Sequence, residues 1–456
     1  MRYLYKIVSI TSVALLITAT ACDNILEPKP VDLLANDVVL NEPRDVPNVE
    51  IGLYSAFRDV APATIIAGDF TADMLIHNGT FSQYRELGTK QISSANASVA
   101  ELWGDIYNTI YIANFIIERL PNVEGVVTSE RNRVMGSAYF LRGYCYFVAA
   151  YTFGAVPDVL TTDIQANRNI ARTSKEEILQ QVLGDYNTAL DLVPDKAVNA
   201  GYAGKQVVRA ALARYQLYAG NWAEAEVQAT SVIQSGDYEL EQEYSSTVTQ
   251  DYTSESILEV GYTLTDDPGT DGNLGLNNLF VGRREIIPSN QVVLALASSE
   301  SGDRFSSINF NTSNLNGTDN GWSVAKYGTA DQDNNNVVVF RLPEMYLIRA
   351  EARAQLEKVT GDNSAQSDVN VLRERAKAVT VSPVSKSQML RLIEDEWRYE
   401  FAFEGHRWYD LKRTGRLTAV MSAFSPNWKD TYDLWPIPQR EIQNNPALVG
   451  NQNPGY

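Results

Sequence analysis

The stretch from Gln206 to Leu240, "QVVRAALARYQLYAGNWAEAEVQATSVIQSGDYEL", constrains the fold more than any other part of the chain. Apolar residues recur at helical spacing on both sides of "AGNW", and the small residues Ala211, Ala225 and Ala229 stand where two helices would cross. This predicts a back-folded helix pair that cannot bury both of its apolar stripes alone, so more helices must cover it. The rest of the chain supplies them. Val49, Leu53 and Phe57 share one helical face, as do Leu102, Ile106, Ile110, Ala113, Ile117 and Leu120, with Pro121 as the stop. Ser129 to Phe153 predicts a long helix whose last two turns are almost wholly apolar, which places it centrally, with Gly154 and Pro157 ending it. Ser174-x-x-Glu177 is a capping box opening a further helix, with Leu179, Val182, Tyr186 and Leu190 on its stripe.

The Gln206–Leu240 pair, with Leu and Tyr late in the first helix and Ala in the second, matches the tetratricopeptide pattern. "EMYLIRAEARAQL" followed by "QSDVNVLRERAKAV" reads as another such pair. Pairs of this kind stack to bury faces that none can bury singly, and they usually form scaffolds or interaction surfaces. The texture changes between about 239 and 340, where "TLTDDPGTDGNLGLNN" and "NFNTSNLNGTDNGWSVAKYGTADQDNNNV" are rich in Gly, Asn, Asp and Thr, and again over about 67–98. Long loops in a compact domain are usually functional or disordered. The expected architecture is therefore mostly α, with little β structure: one domain over 43–456 carrying two loop-rich excursions.

The N-terminus has the form of a targeting segment. Arg2 and Lys6 precede an uncharged, mostly apolar run, Ile7 to Ala21, too short and too rich in Ser and Thr to span a membrane. It ends "TATAC", so residues 1–21 read as a lipoprotein signal peptide, Cys22 as the lipidated residue and 22–42 as a tether. The alternative is an ordinary secretory signal with an incidental cysteine. The other cysteine, Cys145, lies in "LRGYCYFVAAY" and reads as a small buried hydrophobe. The formal charge of the whole chain is −18, and becomes −20 without residues 1–21, which hold two cations and no acid. Such a charge argues against nucleic acid as a partner.

In order along the chain, several motifs resemble the SusD/RagB family of outer-membrane nutrient-binding lipoproteins: Cys22 with its proline-bearing tether, "IGLYSAFRD", Trp103, Tyr107 and Asn114 within one helix, "AYFLRGYCYFVAAYTFGAVPDVL", "RLPEMYLIRAEA", "EFAFEGHRWYDLKRTG" and the C-terminal "LWPIPQREIQNNPALVGNQNPGY". Ala19 departs from the family's usual Leu before the lipidated cysteine, and the chain is short for the family. The resemblance implies a helical tetratricopeptide-like fold without catalysis or cofactor. It implies a lipid anchor in the outer membrane, exposed at the cell surface. It implies a SusC-like TonB-dependent transporter as partner, on which the protein is a lid, and an oligosaccharide, or sometimes a peptide, as ligand.

"EFAFEGHRWYDLKRTG" invites a catalytic reading. Glu396, Glu400 and Glu404 are spaced to share one helix face, however, whereas glycosidases flank their bond with opposed carboxylates. With Arg398, Arg407, Lys412 and Arg413 at hand as counter-ions, these residues read as ion pairs locking helices, with Gly405 allowing a close approach or a break. The only histidines, His77 and His406, are far apart in sequence and read as structural rather than zinc ligands. Asp331 to Asn336 lacks the glycine and terminal Glu of a calcium loop. The candidate ligand residues are instead in the loops, where rings can stack on the C–H faces of sugars and polar groups can bond hydroxyls: Trp322 and Tyr327, Tyr262 and Phe280, and Asp69, Asn78 and Tyr84, Trp322 foremost because Gly, Asn and Asp surround it. A glycoside hydrolase is the alternative from another class.

Overall fold

Apolar stripes at the predicted spacing produce the helices. In the computed structural model, which describes residues 40–262, 275–328 and 336–456, ten main helices carry the fold: α1 Val46–Ile65, α2 Ala97–Arg119, α3 Thr128–Phe153, α4 Lys175–Leu192, α5 Lys205–Tyr218, α6 Trp222–Ile233, α7 Leu342–Gln355, α8 Ala365–Arg375, α9 Lys386–Glu400 and α10 Arg407–Arg413. The signal segment, Cys22, most of the tether and nearly all of Asp331 to Asn336 lie outside the described residues. Caps set several helix starts. The Asn96 side chain accepts from the amides of Ser98 and Val99 at the head of α2, and the Ser174–Glu177 capping box opens α4.

α3 is central, as its composition predicts: from Gly136 onward nearly every residue is buried, and it packs against α2 and α4. Its "LRG" has a mechanical explanation. Arg142 is buried and donates to Asp185 of α4 at 2.6 and 2.9 Å and to Asn114 Oδ1 of α2 at 2.8 Å, so one guanidinium ties three helices together. A Cβ on Gly143 would lie 2.9 Å from the Tyr186 ring, so glycine lets α4 close in. Cys145 is fully buried, and burial pushes its thiol far above the usual range. The α5–α6 and α7–α8 pairs form as expected, with Ala211, Ala225 and Ala229 buried at the crossing. Arg349 and Arg353 of α7 hold Asp368 of α8.

Eight short strands pair among the described residues into four antiparallel two-stranded ladders: β1 Leu75–His77 with β5 Ile286–Pro288, β2 Val156–Pro157 with β3 Arg172–Thr173, β4 Ser256–Val260 with β8 Val337–Arg341, and β6 Ile308–Phe310 with β7 Trp322–Val324. The region read as long loops thus holds five strands. Segments of three to five residues are too short for a period-2 pattern to show in sequence.

The charged C-terminal stretch is architecture, by different pairings from those expected. Glu396 and Glu400 are fully buried on α9. Arg304 donates to both, to Glu400 at 2.6 Å; Arg341 and Arg375 each reach Glu400 at 2.5 Å; and Arg373 reaches Glu396 at 3.0 Å. Burial pushes Glu400 up, but the guanidiniums of Arg375, Arg341 and Arg304 outweigh it and hold the carboxyl well below the usual range. Glu404 is not on the helix, because α9 ends at Glu400; it sits in the following turn, paired with Arg341 at 2.8 Å and with Lys326. The neighbouring cations are engaged elsewhere. Arg407 pairs with Asp73 at 2.9 Å, Arg413 with Glu351 and Asp410, Lys412 donates to the Tyr151 carbonyl at 2.6 Å, and Arg398 reaches Asp73 only at 3.6 Å. His406 lies against the rings of Trp397 and Phe401, and burial and nearby cations push its imidazole well below its ordinary value.

Gly405 does what the sequence suggests. Its φ of +83° turns the chain between α9 and α10 and brings it against a π-helical turn, Ile66–Phe70, that continues α1. A Cβ on Gly68 would lie 1.8 Å from the Gly405 carbonyl oxygen, so the two backbones touch.

Candidate functional site

The β6–β7 hairpin carries rings at the protein surface. Its register sets Phe310 opposite Trp322, with ring centroids 4.9 Å apart, and Phe305 meets the indole edge to face at 5.6 Å. Phe305 and Phe310 are 40% and 48% exposed, and Trp322 is half-buried against both. Gly321 permits this. Its φ is +81°, and a Cβ there would lie 2.7 Å from the Phe310 ring.

Polar groups from both excursions converge beside the rings. Arg284 donates to both oxygens of Asp319, at 2.9 and 2.5 Å, and to the Trp322 carbonyl at 2.9 Å. Asn78 donates to Asp319 at 3.0 Å and to the Arg284 carbonyl at 2.9 Å. Despite partial burial, the hydrogen bond from Arg284 holds Asp319 below its ordinary value, so it stays ionised and acts as an acceptor. Asn320 bridges to the Pro288 carbonyl and to Asn290 Oδ1. The β1–β5 pairing causes this convergence: it sets His77 opposite Ile286, and buried Glu285 then accepts from the Phe81 amide at 2.5 Å and pairs with His77 Nε2 at 3.1 Å. Arg283 lies 4.3 Å over the Phe81 ring. Aromatic faces flanked by hydrogen-bonding groups can stack on apolar C–H surface while bonding hydroxyls at its edge.

Of the seven residues singled out from sequence, Trp322 and Asn78 meet here. The other five are buried in this conformation and hold the loops in place. Asp69 accepts from the Gly405 and Arg407 amides at 2.9 and 3.1 Å, and burial pushes it up to about 7. The Tyr327 hydroxyl donates to the Phe403 carbonyl at 2.7 Å, and its ring lies 5.8 Å from that of Phe280. The Tyr262 hydroxyl donates to the Arg58 carbonyl, and Tyr84 packs between Phe70 and Phe81. A flanking run of Gly, Asn and Asp does not keep a ring exposed when the loop folds back onto the helices. Sequence reasoning missed Phe305, Phe310, Arg284 and Asp319. Phe310, in "NFNTSN", carried the same signal as Trp322; Arg284 and Asp319 are 35 residues apart, and only the fold joins them.

A mostly helical, tetratricopeptide-like scaffold presenting an aromatic and polar loop surface defines a class of binding protein. The chain belongs to the SusD family: that family's model matches residues 298–456, and a second, described as starch-binding associating with outer membrane, matches residues 30–217. SusD-like protein P2 of Formosa agariphila is 26% identical over 98% of this chain and 99% of its own length. The starch-binding protein SusD of Bacteroides thetaiotaomicron is 32% identical over a shorter span, 32% of this chain and 28% of that protein. A solved laminarin-binding SusD-like protein superposes with a TM-score of 0.78 at 22% identity, covering 91% of this chain and all of the other.

Proposed function

We propose that the protein binds an oligosaccharide at the cell surface, without catalysis, and acts as the lid of a SusC-like TonB-dependent outer-membrane transporter. The observation that carries the binding claim is the exposed Phe305–Trp322–Phe310 cluster beside the Asn78–Arg284–Asp319 group. Trp322 and Asn78 would contact the sugar, while Phe280, Tyr327, Tyr262, Tyr84 and Asp69 would hold the loops that present them. The names of relatives point the same way, two of them being a starch-binding and a laminarin-binding protein. Residues 1–21 would be removed, Cys22 would carry the lipid, and 22–42 would tether a single domain, 43–456. Stacking would supply much of the affinity and the polar groups the choice among sugars, with release fast enough to hand the ligand on. Calorimetric titration with starch- and laminarin-derived oligosaccharides tests this, with chromatography of the incubated sugars. Binding without cleavage is expected. Cleavage would make the protein a hydrolase, and binding of peptides alone would make it a peptide carrier.

A further inference from the structure

The chain has three Asn-Gly pairs, Asn78-Gly79, Asn316-Gly317 and Asn320-Gly321, and all three belong to the hairpin or to the polar group beside it. Asparagine is a chemically labile residue, most of all before glycine. The glycine amide nitrogen can attack the carbonyl carbon of the asparagine side chain, and glycine has no Cβ to shield the approach. In a folded protein the reaction requires that the carboxamide and the amide nitrogen be free to meet.

At two of the pairs both groups are held. The Asn78 carboxamide donates to the Arg284 carbonyl and to Asp319, and the Gly79 amide donates to the Glu285 carbonyl at 3.2 Å. The Asn320 carboxamide donates to the Pro288 carbonyl and to Asn290, and accepts from the Trp322 amide at 3.1 Å. The Gly321 amide donates to Asp319 at 2.9 Å. Asn316-Gly317 differs on each count. Both residues are exposed, and among the described residues neither the Asn316 carboxamide nor the Gly317 amide has a hydrogen bond. A Cβ on Gly317 would meet nothing within 4 Å, so the space around its nitrogen is open. The pair sits in the turn between β6 and β7, where the Asp319 amide donates to the Asn316 carbonyl at 3.0 Å. That bond draws electron density from the Asn316–Gly317 peptide and makes its N–H more acidic, which favours the attack.

We infer that Asn316 is a self-modifying site, which water alone converts to aspartate and isoaspartate. The Gly317 nitrogen gives up its proton to solvent and bonds to Cγ of Asn316. The side-chain nitrogen takes up a proton and leaves as ammonia, closing a five-membered succinimide. Water then reopens the ring. Breaking the bond to Cγ gives aspartate; breaking the bond to the main-chain carbonyl carbon gives isoaspartate, whose chain runs through the side chain. One water enters, one ammonia leaves, and nothing is oxidised or reduced. Either product adds a negative charge to the turn, and isoaspartate lengthens its main chain. Leu315, beside Asn316, packs with Phe310 against Gly321, where a Cβ would lie 3.2 and 2.7 Å from their side chains. A change in the turn is therefore passed to the Phe310–Trp322 pair, and conversion weakens ligand binding there. That consequence rests on the reading of the hairpin as a glycan site; the conversion itself does not.

The test is peptide mapping by mass spectrometry of the purified full-length chain during incubation at pH 8.5 and 37 °C, with fragmentation that distinguishes isoaspartate from aspartate. Conversion at Asn316 is expected to be at least tenfold faster than at Asn78 or Asn320, with isoaspartate the larger product. Asn316→Gln is expected to stop it with little change in the unfolding midpoint. In calorimetric titration with starch- and laminarin-derived oligosaccharides, converted wild type is expected to bind at least threefold more weakly than fresh protein, and incubated Asn316→Gln to bind as fresh protein does. An intact Asn316, or faster conversion at Asn78 or Asn320, would overturn the inference. Equal affinity of fresh and converted protein would overturn the link to the rings. Conversion at Asn316 in a protein that binds neither sugar would uphold the modification while removing the hairpin reading.

Discussion

A carboxylate surrounded by three guanidiniums is committed to holding them, and Glu400 is in that position. Removing its charge leaves Arg304, Arg341 and Arg375 under-neutralised in the interior, so Glu400→Gln is expected to cost about 3–5 kcal/mol in urea unfolding. A folded Glu400→Gln protein should still bind sugar; normal stability with lost binding would return the motif to the active-site reading. Asp69 gives a pH signature. Its carboxyl is held up to about 7 in the fold against 3.8 as a free side chain, so between these values the folded state binds more protons than the unfolded one. Stability must then fall as pH rises through that window. The Gly405 and Arg407 amides donate to different oxygens of Asp69, so Asp69→Asn keeps an acceptor for only one of them and lowers stability at every pH, but it cannot ionise and should flatten the decline; unfolding curves from pH 4 to pH 8 would show it. At this scale the sequence tells which residue types are charged and that they share a region. It does not give their partners, because Glu400 and Arg304 are 96 residues apart and only tertiary packing brings them together.

Helices were legible because their stripes run for several turns. α2 buries Leu102, Ile106, Ile110 and Ala113 as its spacing predicts, and α3 is as buried as its composition demands. The short ladders were not legible, since three residues carry no period, and the Phe310–Trp322 pair that forms the surface depends on one such register. Glycines at element junctions were half legible: Gly405 marks a break in the sequence, but its contact with Gly68 needs the π-helical turn. Gly68→Ala forces a methyl into the Gly405 carbonyl and is expected to destabilise by at least about 1–3 kcal/mol. By contrast, Gly184→Ala on the exposed face of α4 meets nothing within 4 Å and should stabilise by up to about 1 kcal/mol. Chemical unfolding of both variants checks the contrast, and a tolerated Gly68→Ala would contradict the packing described.

For the whole molecule, the proposed role requires a fixed anchor and a working face. Among the described residues no helix is long and apolar enough to cross a membrane. In the proposed role the attachment is the lipid on Cys22. Cys22→Ser is expected to move the protein from the membrane fraction to the soluble fraction and to abolish the mass of the lipid on the mature N-terminus. The proposed working face was legible in part: Trp322 and Asn78, which the proposal assigns to it, were readable as loop residues of that chemistry, whereas Tyr327, Phe280, Tyr262, Tyr84 and Asp69 share that texture yet are buried. The claim that matters most is that ligand is held by the hairpin rings and not by the charged C-terminal motif. Titration of wild type and Trp322→Ala with the tightest-binding neutral oligosaccharide tests it directly. The account predicts at least a tenfold loss of affinity in Trp322→Ala with the unfolding midpoint nearly unchanged; equal affinity in the two proteins would contradict it.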